Sequence, residues 1–234
     1  MATVESAGLT VLIPAWNERG NLENLLPGVE EVLGRLAVPW EIIVVDGGST
    51  DGTPEAARRH GARTIQQTER GYGGALLAGF AAARMPYLAT MDADLSHPPV
   101  FLEEFWRRRD EAEVLIASRY VPGGKAEMGR FRWLLSLILN RTYSVLLSVP
   151  VRDLSSGFRL YHREALLALK PVARDFDFLE EVLVRVYNHG GRVIEIPFHY
   201  LPRGAGHSKA RLVKFGWAFL KTLLRMWRLR QGGG

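Results

Sequence analysis

An α/β domain with a mostly parallel sheet is what this 234-residue sequence predicts, on two observations. Short apolar runs that read as buried strands alternate with helical patterns at the rhythm of β-α-β units. Polar or acidic residues also stand at the ends of three of those runs: Pro14 to Glu18, Asp46, and the pair Asp92 and Asp94. Sheets of this class bind ligands outside the carboxyl ends of their strands, so the three ends point at one crevice.

Leu9-Thr10-Val11-Leu12-Ile13 is the first strand, ended by Pro14. Asn21 opens a helix whose apolar positions Leu22, Leu25, Leu26, Val29, Val32 and Leu33 recur at helical spacing, with Pro27-Gly28 as a candidate kink. Glu41 to Asp46 is a second strand, and the turn-rich Gly47-Gly48-Ser49-Thr50-Asp51-Gly52 follows it. Next come a helix over 54–60, a strand over 63–66, a helix over 73–83 and a strand over 87–91. Beyond Pro98-Pro99, Phe101, Leu102, Phe105 and Trp106 repeat as a helix does, and Val114 to Ala117 is another strand.

The second half is less regular. Residues 131–149 carry a polar line, Arg132, Ser136, Asn140, Ser144 and Ser148, against a broad leucine-rich face. A strand over 158–161, a helix over 178–189, a strand over 192–200 and a basic loop over 203–209 are expected after it. In the last helix, 211–230, Arg211, Lys214, Lys221, Arg225 and Arg228 share a stripe; Trp217, Phe219, Leu220, Leu223, Leu224 and Trp227 fill the rest. Such a helix suits a membrane interface, and equally a surface helix covering the sheet. The 131–149 segment supplies a second membrane signal. The chain thus divides into a domain over 1–210 and a basic amphipathic helix over 211–230.

Composition narrows the chemistry. With no cysteine there is no disulfide, thiolate metal site or cysteine nucleophile. The formal charge of +5 predicts attraction to phosphates. No signal peptide is read at the start, and no run reaches the roughly 18 uncharged apolar residues of a membrane span. Gly71, Gly73, Gly74 and Gly79 do not form a dinucleotide fingerprint, and no phosphate-binding Gly-rich lysine loop, nucleophile elbow or zinc spacing is present. Nucleic-acid binding would explain the charge but not the acidic strand ends.

Strand alternation puts Asp92 and Asp94 on one side of the chain. Two hard oxygen donors there suit Mg²⁺ or Mn²⁺ shared with a substrate's phosphates. The same spacing also fits a strand-to-helix turn, with Asp94 or Ser96 capping a helix that begins near the prolines.

Ile13-Pro14-Ala15-Trp16-Asn17-Glu18, Val45 to Thr53 and Asp92-Ala93-Asp94 resemble family 2 glycosyltransferases of the GT-A fold, a Rossmann-like architecture. Asp94-Leu95-Ser96-His97-Pro98-Pro99, Ala117-Ser118-Arg119-Tyr120, Ser156-Gly157-Phe158-Arg159 and the loop from Arg203 to Lys209 narrow the likeness. They point to the branch that makes dolichyl- and polyprenyl-phosphate mannose, in a short form without a transmembrane extension.

The resemblance implies inverting transfer of mannose from GDP-mannose to dolichyl or polyprenyl phosphate, by a peripheral protein on the cytoplasmic face of a membrane. It leaves room for an accessory membrane subunit and implies no nucleic-acid partner. Pro14, Trp16, Glu18, Val45 and Asp46 would line the nucleotide pocket. Asp92, Ala93 and Asp94 would hold nucleotide and metal, with Ser96 at a third metal position. Arg119 would meet the phosphates; Arg203, Ser208 and Lys209 would close over the diphosphate and reach the acceptor. Asp94, Arg119, Arg203 and Lys209 are the implied catalytic set, and Glu180 and Glu181 are expected to be structural or positioning. Two departures bear on the donor: Gly47 stands where relatives carry a second carboxylate, and Ser96 where close relatives carry Gln. Glucosyl transfer from UDP-glucose, or a non-catalytic nucleotide-sugar or lipid scaffold, are the alternatives.

Overall fold

The computed structural model describes residues 7–202, the main chain of 212–220, and residues 221–232. The first half is the expected alternation: β1 (Leu9–Ala15), α1 (Arg19–Leu36), β2 (Trp40–Asp46), α2 (Thr53–Arg59), β3 (Arg63–Gln66), α3 (Tyr72–Ala82), β4 (Tyr87–Thr90), α4 (Phe101–Arg108) and β5 (Val114–Ser118). The second half holds β6 (Lys125–Ala126), α5 (Arg130–Leu146), β7 (Arg159–His162), α6 (Arg163–Ala168), α7 (Phe178–Asn188), β8 (Val193–Pro197), β9 (His199–Tyr200) and α8 (Leu212–Gln231).

Seven strands form one sheet in the order β3-β2-β1-β4-β7-β5-β8. Every neighbouring pair is parallel except those of β7, which runs antiparallel to both β4 and β5. Alternate residues of β1 feed opposite faces. Leu9, Val11 and Ile13 pack with Leu22 and Leu26 of α1, whereas Leu12 joins Ile43, Val45, and Leu76 and Phe80 of α3. Burial on both faces explains why the strands read as continuous apolar runs.

Several sequence expectations are corrected. Pro14 does not end β1 but lies inside it, opposite Val45. Pairing with β4 stops at Leu12, so the side on which Pro14 would present its missing N–H has no ladder partner there. Helix α1 runs through Pro27 unbroken. Asp92 and Asp94 follow the end of β4, so strand alternation is not what aligns them. The run 192–200 breaks into β8 and β9, and α6 and β6 had no clear sequence signal.

Helix α5 ends three residues short of the expected 149, where Ser148 takes a left-handed φ of 51°. Its two buried residues are Asn140 and Tyr143. Asn140, in the middle of the polar line, is buried, while Phe131, Ile138 and Val145 are 73%, 53% and 60% exposed. Helix α8 docks through buried Met226, and Arg230 donates to the Leu147 carbonyl at 3.2 Å. Arg225 remains exposed but pairs with α7 and its N-terminal flank, 3.2 Å from Asp177 and 3.3 Å from Glu181. Arg211 and the side chains of Lys214, Trp217, Phe219 and Leu220 lie outside the described residues. No helix among those described is long and apolar enough to cross a membrane.

Candidate active site at the carboxyl edge of the sheet

Beyond β4 the chain makes a tight turn around the acid pair. Thr90 anchors its start, donating its hydroxyl to the Gly157 carbonyl at 2.7 Å. Leu95 adopts a left-handed φ of 66°, a conformation that costs a non-glycine residue about 1–2 kcal/mol. The reversal lets both the N–H and the hydroxyl of Ser96 donate to Asp94 Oδ1. Ser96 is fully buried. Ser96 thereby sets the orientation of Asp94.

Asp92, 32% exposed at its side chain, is held differently. Its N–H donates to His97 Nδ1 at 2.9 Å, and its Oδ1 accepts from the Tyr72 hydroxyl at 3.3 Å. Burial raises the Tyr72 phenol well above its ordinary range, with the Asp92 charge adding to the effect, so it remains a donor. Among the described residues no group of three or more His, Cys, Asp and Glu gathers to cage a metal. Two carboxylates at a strand end fit instead a hard divalent cation, Mg²⁺ or Mn²⁺, whose remaining positions go to water and substrate phosphate.

The neighbouring wall joins two strand-end loops. Asp46, 3% exposed, accepts from the N–H groups of Gly48 and Ser49 at 3.1 and 3.2 Å, so its carboxylate shapes the 47–52 turn. Asn17, itself at φ 55°, donates its N–H to Ser49 Oγ and accepts from Thr50 N–H. The Glu18 N–H donates to Thr53 Oγ1 at 2.9 Å, and Glu18 Oε2 accepts from Asn21 at 2.6 Å. Trp16 stands 50% exposed at the rim, Pro14 is partly covered, and Val45 and Ala93 are enclosed in the core. What Val45 and Ala93 give the pocket is support from beneath. At Gly47 a Cβ would approach Gln67 Oε1 to 3.3 Å and Trp16 Cβ to 3.4 Å; the missing carboxylate would have had to displace these neighbours.

Arg119 emerges just past β5. Its Nε and Nη2 meet the two oxygens of Asp153 at 2.8 and 2.6 Å, and Nη2 also donates to Ser155 Oγ at 2.9 Å. Burial opposes its charge, but fully buried Asp153 overrides it and raises the guanidinium above its ordinary value. Ser155 in turn exchanges two hydrogen bonds of 3.0 Å with Asn140 of α5. Asn140 of the polar line therefore faces the Arg119 pocket, with Ser136 one turn before it in contact with its amide, while Phe131, Ile138 and Val145 stay exposed.

A further shell fixes these parts. At Gly157 a Cβ would come to 2.5 Å from the Tyr72 hydroxyl, so only glycine leaves room for the Tyr72–Asp92 contact. Arg159 is fully buried and donates to the carbonyls of Ser156, Leu179 and Leu154. Glu181, 1% exposed, accepts from the Val172 and Ala173 N–H groups and pairs with Arg185 at 2.8 Å, a structural role. Glu180 has a solvent-shielded Oε2 with no hydrogen bond, and burial raises its pKa to about 7. Arg203, Ser208 and Lys209 lie outside the described residues. Sequence reasoning passed over His97, Tyr72 and Asp153, although His97 and Asp153 stand in or beside the motifs it singled out.

The family model for glycosyl transferase family 2 matches residues 10–169. The chain is 36% identical over 227 residues to polyprenol monophosphomannose synthase of Mycolicibacterium smegmatis, covering 89% of this chain and 83% of that protein. It is 32% identical over 242 residues to dolichol-phosphate mannosyltransferase of Pyrococcus furiosus, covering 97% of this chain and 64% of the relative. With glycosyltransferase AglD of Haloferax volcanii it shares 33% over 238 residues, 97% of this chain but 38% of that one. The chain thus spans less than two thirds of the last two relatives. Among solved structures it is similar to glucosyl-3-phosphoglycerate synthase from Mycobacterium tuberculosis, crystallised with Mn²⁺, UDP and glucosyl-3-phosphoglycerate. The TM-score is 0.75 at 21% identity, over 99% of this chain and 82% of that one. That likeness is one of fold, and the GT-A architecture expected from the sequence is borne out.

Proposed function

Because the chain belongs to glycosyl transferase family 2, we propose that it transfers mannose, with inversion, from GDP-mannose to dolichyl or polyprenyl phosphate at the cytoplasmic face of a membrane. The 36% identity to a polyprenol monophosphomannose synthase, over 83% of that protein, is the observation that carries this reading.

The acceptor is a phosphate monoester with roughly −1.5 to −2 charge at pH 7. One of its oxygens attacks the anomeric carbon as the bond to the nucleoside diphosphate breaks on the opposite face. No hydroxyl has to be deprotonated, so the site needs no general base, in keeping with the burial and pairing of Glu181. A divalent ion held by Asp92 and Asp94, when bound, neutralises charge developing on the leaving diphosphate. Trp16 and Glu18 border the nucleotide. Arg119 directs a phosphate through Nη1, the nitrogen that neither Asp153 nor Ser155 engages. Since Asp153 cancels much of its charge, Arg119 supplies direction more than net attraction. The additional positive charge comes from Arg203 and Lys209, with Ser208 beside them for the acceptor.

Membrane attachment follows from the same arrangement. Helix α5 presents Asn140 to the Ser155 that Arg119 engages and leaves Phe131, Leu134 and Ile138 exposed, so the lipid phosphate can reach Arg119 while its chain stays apolar. The donor is tested with radiolabelled GDP-mannose and UDP-glucose, each offered with dolichyl phosphate and Mn²⁺. Mannolipid from GDP-mannose supports the proposal, glucolipid from UDP-glucose reassigns the donor, and no lipid product from either contradicts it.

A further inference from the structure

Asp92 is bonded at its main chain by one buried ring that also lies close to its carboxylate. His97 is 3% exposed; its imidazole stacks on Phe158 at 4.7 Å and 11° and meets the edges of Phe198 and Tyr200. The Asp92 N–H donates to Nδ1 at 2.9 Å. A backbone amide can only donate, so Nδ1 carries a lone pair and the ring is neutral with its proton on Nε2. Nε2 lies 3.9 Å from Asp92 Oδ2, beyond a hydrogen bond but within reach of a small rotation of the carboxylate. On the other side the Tyr72 hydroxyl approaches Oδ1 at 3.3 Å, its own ring stacked on Phe176 at 4.9 Å and 12°.

We infer that His97 is a positioning residue that sets the geometry with which Asp92 receives a divalent cation and nucleoside diphosphate. The inference rests on the reading of Asp92 and Asp94 as the metal- and nucleotide-holding acids. A neutral donor suits this task. Lys or Arg at the same place would form an ion pair with Asp92 and compete with the cation, whereas an N–H dipole orients the carboxylate and leaves its charge available. Outer-shell donors of this kind typically change metal affinity 10–100-fold when removed.

A purely structural His97 would be one member of the aromatic cluster of Phe101, Phe105, Phe158 and Phe198, and phenylalanine would replace it without loss. The two roles are separated by titrating Mn²⁺ into wild type, His97→Phe and His97→Asn in the presence of GDP, with thermal melting of each. Asn keeps an acceptor near the Nδ1 position and lacks the Nε2 donor. The expected result is Mn²⁺ affinity about 10–100-fold weaker for His97→Phe, a smaller loss for His97→Asn, and melting temperatures close to wild type. Unchanged Mn²⁺ affinity in the folded Asn variant overturns the inference by itself, even if the Phe variant does not fold. A wild-type protein that binds no Mn²⁺ with GDP overturns the underlying reading of the acid pair instead.

Discussion

The hold of Ser96 on Asp94 is easy to test. Its hydroxyl donates to Asp94 from a fully buried position, so Ser96→Ala should leave the fold intact and loosen the acid. A drop of about tenfold in kcat/KM, matching a lost hydrogen bond to a charged group of about 1.5 kcal/mol, is expected, with little change in melting temperature. Glu180 gives a pH signature. Its pKa of about 7 in the folded chain comes first from burial, with Asp177 adding to it and Arg159 and Arg225 opposing it. The unfolded value is about 4.3, so between these limits the folded state holds more protons. Its contribution to stability is therefore full below about pH 4.3 and falls as pH rises to about 7. Urea midpoints measured from pH 4 to 8 should show this decline in wild type and a flatter profile in Glu180→Gln. Identical profiles would place Glu180 in a better-solvated setting than the structure gives it.

At the scale of elements, α5 is the informative case. Its polar line was readable at every fourth residue, and its leucine-rich face reads as a membrane signal. Phe131, Ile138 and Val145 stand exposed on that helix, while Asn140 is buried and tied to Arg119 through Ser155. Charges placed on the exposed side, as in Phe131→Glu with Ile138→Glu, should reduce co-sedimentation with anionic liposomes while melting stays close to wild type. A large loss of stability with unchanged liposome binding would mean that the apolar face packs on protein. The Arg225 side chain belongs to the dock between α8 and α7, so its neutralisation is expected to loosen that dock before it alters lipid binding. Arg159 ties β7 to the 154–156 segment and to α7 through three carbonyls. Replacing it with Met leaves those carbonyls unpaired and should cost about 3 kcal/mol or more, measured as a shift in denaturation midpoint.

For the whole molecule, the parallel half of the sheet and the three strand ends were legible because strand periodicity and local turn chemistry are written in adjacent residues. Pro14 to Glu18, Asp46 and the Asp92–Asp94 turn do converge on one edge. The reversal of β7, the pairing of Arg225 with Asp177 and Glu181 and the service of Tyr72 and Asp153 to other residues depend on contacts between positions 20 to 75 apart and leave no local periodicity. His97 is the instructive exception, since only five positions separate it from Asp92; its signal was present as a residue type without an assigned task. The central claim, that the acid pair serves mannosyl transfer to a lipid phosphate, is tested most directly by one assay. Wild type and Asp94→Ala are compared for mannolipid formed from GDP-mannose and polyprenyl phosphate with Mn²⁺. The account predicts lipid product from wild type and a loss of about 10²–10³-fold or more in the variant; equal product from both would contradict it.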